Sequence, residues 1–154
     1  MPNKHLEHPE DTVLLSRRKC YQVVCTLMQE NIPLGIKWDG APAIVFGTDP
    51  RNNKFFVGTK SVFNKKRVKI CYSYEDIDEN YKGELANIVR LCFRHLPRIG
   101  GIVQGDYIGV SGGTRYTPNT LEYIFSTATS GNIVFAPHTC YTEVSPLSLI
   151  HISE

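Results

Sequence analysis

The stretch Leu34–Asn64, LGIKWDGAPAIVFGTDPRNNKFFVGTKSVFN, decides how this chain is read. Its apolar segments predict strands near residues 34–38, 41–47 and 54–58. In an extended strand, residues two apart share a face, so Lys37 and Asp39 would present an amine and a carboxylate on one side. Gly40 follows, where the missing side chain lets the backbone bend or come close to another group. AIVFG and KFFVG flank the turn Asp49-Pro50-Arg51-Asn52-Asn53, a hairpin pattern that delivers a second lysine, Lys60. The arrangement points to Lys37 as a nucleophile in a nucleotide pocket.

Upstream of this stretch, residues 1–10 are polar and read as a solvated tail. His5 and His8 lie three apart there with no third metal ligand nearby. Cys20, Val23, Val24, Leu27 and Met28 recur at helical spacing, which predicts a helix over about 11–30. Asp11 or Thr12 would cap it, and Asn31 and Pro33 would stop it. Downstream, GTKSVFNKKRVK (58–69) reads by composition as an exposed basic loop carrying two residues of buried type, Val62 and Phe63. EDIDEN (75–80) is an acidic loop or short helix. Leu85, Ile88, Val89, Cys92 and Leu96 form the core stripe of a helix over 83–96, closed by Pro97.

GGIVQGDYIG (100–109) reads as a strand with Ile102, Gln104, Asp106 and Ile108 on one face. Two polar residues at the centre of a face, one of them the poor strand former Asp106, suggest a site on that side. GVSGGT (109–114) lacks the Lys-Ser/Thr of a phosphate-binding P-loop. TLEYIFS (120–126), NIVFAP (132–137) and HTCYTE (138–143) predict three more strands. The class expected is α+β with a largely antiparallel sheet, in one domain over 11–146.

Bulk properties narrow the options. Hydrophobic residues make up 42% and charged residues 21% of the 154 residues, a globular balance. A net charge of +2 does not by itself call for nucleic acid, but Lys60, Lys65, Lys66, Arg67 and Lys69 fall within ten residues. Five scattered cysteines with no C-x-x-C pair argue against zinc or a disulfide framework and fit a reducing cytoplasm. No run is apolar enough for a membrane span, and the polar start is unlike a signal peptide. A monomer is expected. LSLIHISE (147–154) is what one frame of a common transposase-based sequencing adapter encodes. Residues 147–154 are therefore expected to be a non-native tail on a fragment whose natural sequence runs to about Pro146.

A lysine attacks only when neutral, and burial or a nearby cation favours that form. A neutral Lys37 would attack the α-phosphorus of a nucleotide triphosphate and expel pyrophosphate. Cations from Lys60 to Lys69 would offset the phosphate charge, and Mg²⁺ or Mn²⁺ would sit on phosphate oxygens and a carboxylate such as Asp106.

K-W-D-G at Lys37–Gly40 resembles the K-x-D-G motif of covalent nucleotidyltransferases: ATP-dependent DNA ligases, RNA ligases and mRNA-capping enzymes. GTKS after the hairpin, QGDYIG and TLEYIF resemble that superfamily's next elements in order. The run from His5 to Thr142, with KWDGAPAIVFGTDP, FFVGTKSVFNKK, GELA, QGD and TPNT, is similar to ligase-like proteins of tailed bacteriophages. The resemblance implies a ligase adenylation-domain-like fold and ATP as the nucleotide donor. It implies a lysyl-AMP on Lys37 and a nucleotide pocket made of Ile36, Asp39, Gly40, Lys60, Asp106 and Tyr123. Lys60 would contact phosphate, Asp106 the ribose or metal, and Tyr123 would stack on the base, while Lys65, Lys66 and Arg67 would meet nucleic-acid phosphates. RNA or DNA ends bearing a 5′-phosphate would be the partners, RNA before DNA, in the cytoplasm of an infected bacterial cell. Pro42 replaces an arginine common in DNA ligases, and Asp106 replaces the usual glutamate. The later E-G strand and K-x-K strand have no counterpart here, so this chain alone would lack the lysines that contact the α-phosphate. A GTP-using capping enzyme and a non-catalytic nucleic-acid-binding module are the alternatives.

Overall fold

The structure, a computed structural model, describes residues 16–29, 31, 38–141 and, for the backbone alone, 151–152. The chain divides into two compact units, residues 1–37 and 38–154. In the first, helix α1 spans Arg17–Leu27 and is capped by Ser16, whose Oγ accepts from the Lys19 amide. The cap is thus Ser16, later than expected; Asp11, Thr12 and all of the anticipated strand at 34–38 except Trp38 lie outside the described residues, and Trp38 is in no strand. None of the α1 residues is buried.

The second unit is α+β and built on an antiparallel sheet. Its strands are β1 (Ala43–Asp49), β2 (Lys54–Thr59), β3 (Ile102–Val110), β6 (Ile133–Tyr141) and β7 (His151–Ile152), in the order β2-β1-β3-β6-β7. A separate two-stranded ribbon pairs β4 (Arg115–Tyr116) with β5 (Tyr123–Ile124). Helices α2 (Tyr74–Asn80) and α3 (Gly83–His95) fill the long connection from β2 to β3.

Strand β1 is paired on both edges, to β2 and to β3, and its side chains are buried on both faces. Ile44 and Phe46 enter one core with Val57, Ile77, Tyr81, Val89, Cys92 and Tyr107, beneath α2 and α3. Val45 enters the other with Phe56, Val62, Ile102 and Tyr141. This is the period-two alternation of a strand covered twice, and it explains why AIVF is apolar without a break. Burial of the Cys71 and Cys92 thiols pushes them up to about 11 and about 12, so they are packing groups and not nucleophiles.

The acidic stretch forms α2, opened by a capping box between Ser73 and Asp76. In α3 the fully buried positions are Val89 and Cys92, with Ala86 and the C-cap residue Leu96 nearly so, while Leu85 and Ile88 are only partly covered. Two expectations change. NIVFAP and HTCYTE are one strand, β6, that passes through Pro137. A register shift between Gln104 and Gly105 on β3 faces it, and such a bulge is where a sheet tolerates a proline. TLEYIFS contributes only the two residues of β5, which pair with the ribbon and not with the main sheet.

The hairpin from β1 to β2 is held by Asp49, which is fully buried. Its carboxylate accepts from the Arg51 amide, from the Arg51 guanidinium at 2.6–3.2 Å and from the Tyr72 hydroxyl at 2.6 Å. The Arg51 contact, with help from Tyr72, lowers the carboxyl to about 2 against the opposing cost of burial. A depressed carboxylate contributes stability above its unfolded value and loses it as pH falls through the folded value. Asp49→Asn is therefore expected to cost about 2 kcal/mol at neutral pH. Its deficit against wild type in thermal melts should shrink between pH 3.8 and about 2; a deficit independent of pH would refute the assignment.

Gly47 has φ 146, and a Cβ there would lie 1.9 Å from the Gly101 carbonyl oxygen. Both the backbone conformation and the contact exclude a side chain. Gly47→Ala is expected to destabilise the protein by about 2–4 kcal/mol, read in chemical denaturation.

Candidate functional site

Gly40 is where the K-W-D-G segment meets the sheet. A Cβ at this position would lie 2.6 Å from the Tyr107 carbonyl oxygen and 2.8 Å from Asp106 Cβ, so the segment can lie this close to β3 only with glycine. The contact is hydrogen-bonded on both sides of the approach. Gly40 N–H donates to Asp106 Oδ2 (3.2 Å), Ala41 N–H to the Tyr107 carbonyl (3.1 Å), and Tyr107 N–H to the Pro42 carbonyl (3.1 Å). The polar pair on β3 is thereby divided by role. Gln104 is buried and accepts from the Tyr141 hydroxyl (2.7 Å), a structural bond, while Asp106 turns to the motif.

The ribbon grips the same segment from another direction. Asp39 N–H donates to the Tyr123 hydroxyl (2.6 Å), which donates in turn to the Asp39 carbonyl (3.0 Å). Asn119 Nδ2 donates to Asp39 Oδ2 (3.1 Å). The Trp38 ring lies 4.8 Å from that of Tyr123 and 6.0 Å from that of Phe125, nearly parallel to the latter. Phe125 meets Tyr116 edge-on, and the Tyr116 hydroxyl is tied to Gly113. Asp39 and Gly40 are thus pinned by hydrogen bonds to Tyr123, Asn119 and Asp106, and Trp38 by ring contacts with Tyr123 and Phe125.

Asp106 has a further neighbour. His138 Nε2 on β6 lies 3.6 Å from Asp106 Oδ1, and His138 Nδ1 is 2.7 Å from Thr139 Oγ1. Asp106 is largely covered and His138 about one-third exposed. Among the described residues no group of three His, Cys, Asp or Glu side chains stands together as a metal site.

Lys60 opens a short 3₁₀ helix, Lys60–Phe63, capped by Thr59. The Tyr81 hydroxyl fixes this turn: Thr59 N–H donates to it (3.0 Å) and Ser61 Oγ lies 3.1 Å away. Val62 is fully buried, which converts the expected loop into an anchored turn with Lys60 exposed on it. Residues 64–68 are exposed, and Lys60, Lys65, Lys66 and Arg67 form no hydrogen bond or ion pair among the described residues. Lys69 departs from that group; its Nζ donates to the Asn80 carbonyl at the end of α2 and lies over the Tyr81 ring.

Among the residues named from sequence, then, the fold brings Asp39, Gly40, Asp106 and Tyr123 into one bonded cluster. Lys60 shares no bond with that cluster, and Ile36 and Lys37 lie outside the described residues. Trp38, Asn119 and His138 join the cluster without having been singled out. Asn119 stands in the T-P-N-T turn, where Asn reads as a turn former, and nothing local marks its partner 80 positions away.

No helix among the described residues is long and apolar enough to cross a membrane. Comparison with curated proteins and with solved structures finds no match. A family profile does match, over residues 3–151, and by that match the chain belongs to a family of unknown function, DUF6267.

Proposed function

We propose that the chain is a ligase-like nucleotidyltransferase domain whose Lys37 takes AMP from ATP as a covalent lysyl-adenylate. The single observation that carries this reading is the hydrogen bond from Gly40 N–H to the Asp106 carboxylate, across 66 positions of sequence. The two motifs read separately from the sequence meet at that bond.

In the proposed reaction the neutral Lys37 amine attacks the α-phosphorus of ATP. An N–P bond forms, the bond to the β-phosphate oxygen breaks, pyrophosphate leaves with the electron pair, and the amine's proton passes to water. An oxygen of a polynucleotide 5′-phosphate then displaces lysine and takes the AMP. RNA ends are preferred over DNA ends as the acceptor, on the resemblance of the GTKS element. Exposed Lys60, Lys65, Lys66 and Arg67, with no internal partners among the described residues, are suited to phosphate oxygens of nucleotide and polynucleotide. Asp106 is the carboxylate available to Mg²⁺ or Mn²⁺, whose remaining ligands would be phosphate oxygens and water, a common arrangement for these ions. When bound, such a cation supplies charge neutralisation on the phosphates.

The test is incubation with α-labelled ATP, or GTP, and Mg²⁺ or Mn²⁺, followed by denaturing gel and acid treatment. Acid-labile label from ATP that is abolished in Lys37→Ala is expected. Asp106→Asn is expected to reduce its rate by about 10²–10³-fold. Label from GTP alone would make the chain a capping-type enzyme. Absence of label together with salt-sensitive binding of a single-stranded oligonucleotide would make it a non-catalytic module.

A further inference from the structure

We propose that Tyr123 serves the candidate site through its hydroxyl and not through its ring: it is a positioning residue that latches the Trp38–Asp39 backbone onto the ribbon. This rests on the nucleotidyltransferase reading only for its kinetic consequences. The phenol oxygen bonds one residue twice, accepting from Asp39 N–H at 2.6 Å and donating to the Asp39 carbonyl at 3.0 Å. A hydroxyl with one proton and two lone pairs is close to satisfied by that pair. The ring is engaged too, 4.8 Å from Trp38. Asn119 extends the latch to the Asp39 side chain at 3.1 Å.

The latch is anchored at its far end. Phe125 N–H donates to the Thr114 carbonyl (2.8 Å), Gly112 and Thr129 exchange backbone bonds with one another's neighbourhood through Gly112 N–H to Thr129 (3.0 Å) and Thr129 N–H to Gly113 (3.0 Å), and Ser111 N–H reaches Asn132 (3.2 Å). The ribbon is therefore a fixed mount. With β3 holding Gly40 and Ala41 from the sheet side, the segment immediately after Lys37 in sequence has its backbone set at three consecutive residues, Asp39, Gly40 and Ala41. Holding a nucleophile's adjoining backbone governs attack geometry far more than nucleotide affinity.

Tyr123→Phe separates the two roles because it keeps the ring and deletes the hydroxyl. Trp38 is the chain's single tryptophan, so its emission reports this segment directly. In the full chain, Tyr123→Phe is expected to make Trp38 more accessible to acrylamide quenching. It should lower the maximal rate of labelling by ATP about 10–100-fold while leaving the half-saturating ATP concentration within about twofold. Tyr123→Leu, which also removes the ring, should add little to the ATP requirement. The proposal is overturned if Tyr123→Phe behaves as wild type while Tyr123→Leu raises the half-saturating ATP concentration, the pattern of a base-stacking ring. Should wild type take no label from any nucleotide, the enzyme reading fails separately. Quenching then decides the latch alone: increased in Tyr123→Phe it stands, unchanged it falls.

Discussion

Ala43–Asp49 is bonded along both edges and buried on both faces, and most of the described fold follows from having to satisfy that one strand. Its backbone groups are taken up by β2 and β3. Its side chains call for two covers, the α2–α3 layer over Ile44 and Phe46 and the Val62–Tyr141 cluster over Val45. Leaving either cover off would expose large apolar side chains worth about 1.5–3 kcal/mol each in burial. The candidate site grows from the same strand, since the Lys37–Gly40 motif leads directly into it and β3, carrying Asp106, is its neighbour.

What the sequence discloses of this arrangement is what depends on period and turn chemistry. AIVFG, KFFVG and the turn between them have a strand pattern that needs no distant partner to be legible, and α3 has a helical one. The merged strand β6 was hidden by Pro137, which reads locally as a break; the bulge beside it, where Gln104 and Gly105 of β3 face Thr139 and Pro137, makes it tolerable, and a bulge belongs to a pair of strands. TLEYIFS has the alternation of a longer strand, yet its pairing stops after two residues because the partner Arg115–Tyr116 is that short. Single-sequence reading measures propensity, and here tertiary pairing overrides it.

The site divides along the same line. Gly40 could be recognised as a point of close approach, and Asp106 as a polar residue in the wrong place for a core strand; both are local anomalies. Asn119 is no anomaly, since an Asn after Thr-Pro is ordinary turn chemistry, and its hydrogen bond to Asp39 exists only in three dimensions. Asp49 was hidden in a similar way, as one more turn residue before a proline, although it proves to be the buried acceptor for Arg51 and Tyr72. Lys69 misleads in the opposite sense: composition groups it with the free cations, while its amine closes α2.

The Tyr81 hydroxyl carries a consequence for how the molecule breathes. Its ring belongs to the helix-side core, and its oxygen holds the turn that presents Lys60. Opening the Thr59 amide to solvent means breaking its bond to a phenol seated in that core, which ties the basic turn to the helical layer. The turn that carries the surface charge is thus built on the hydrophobic interior.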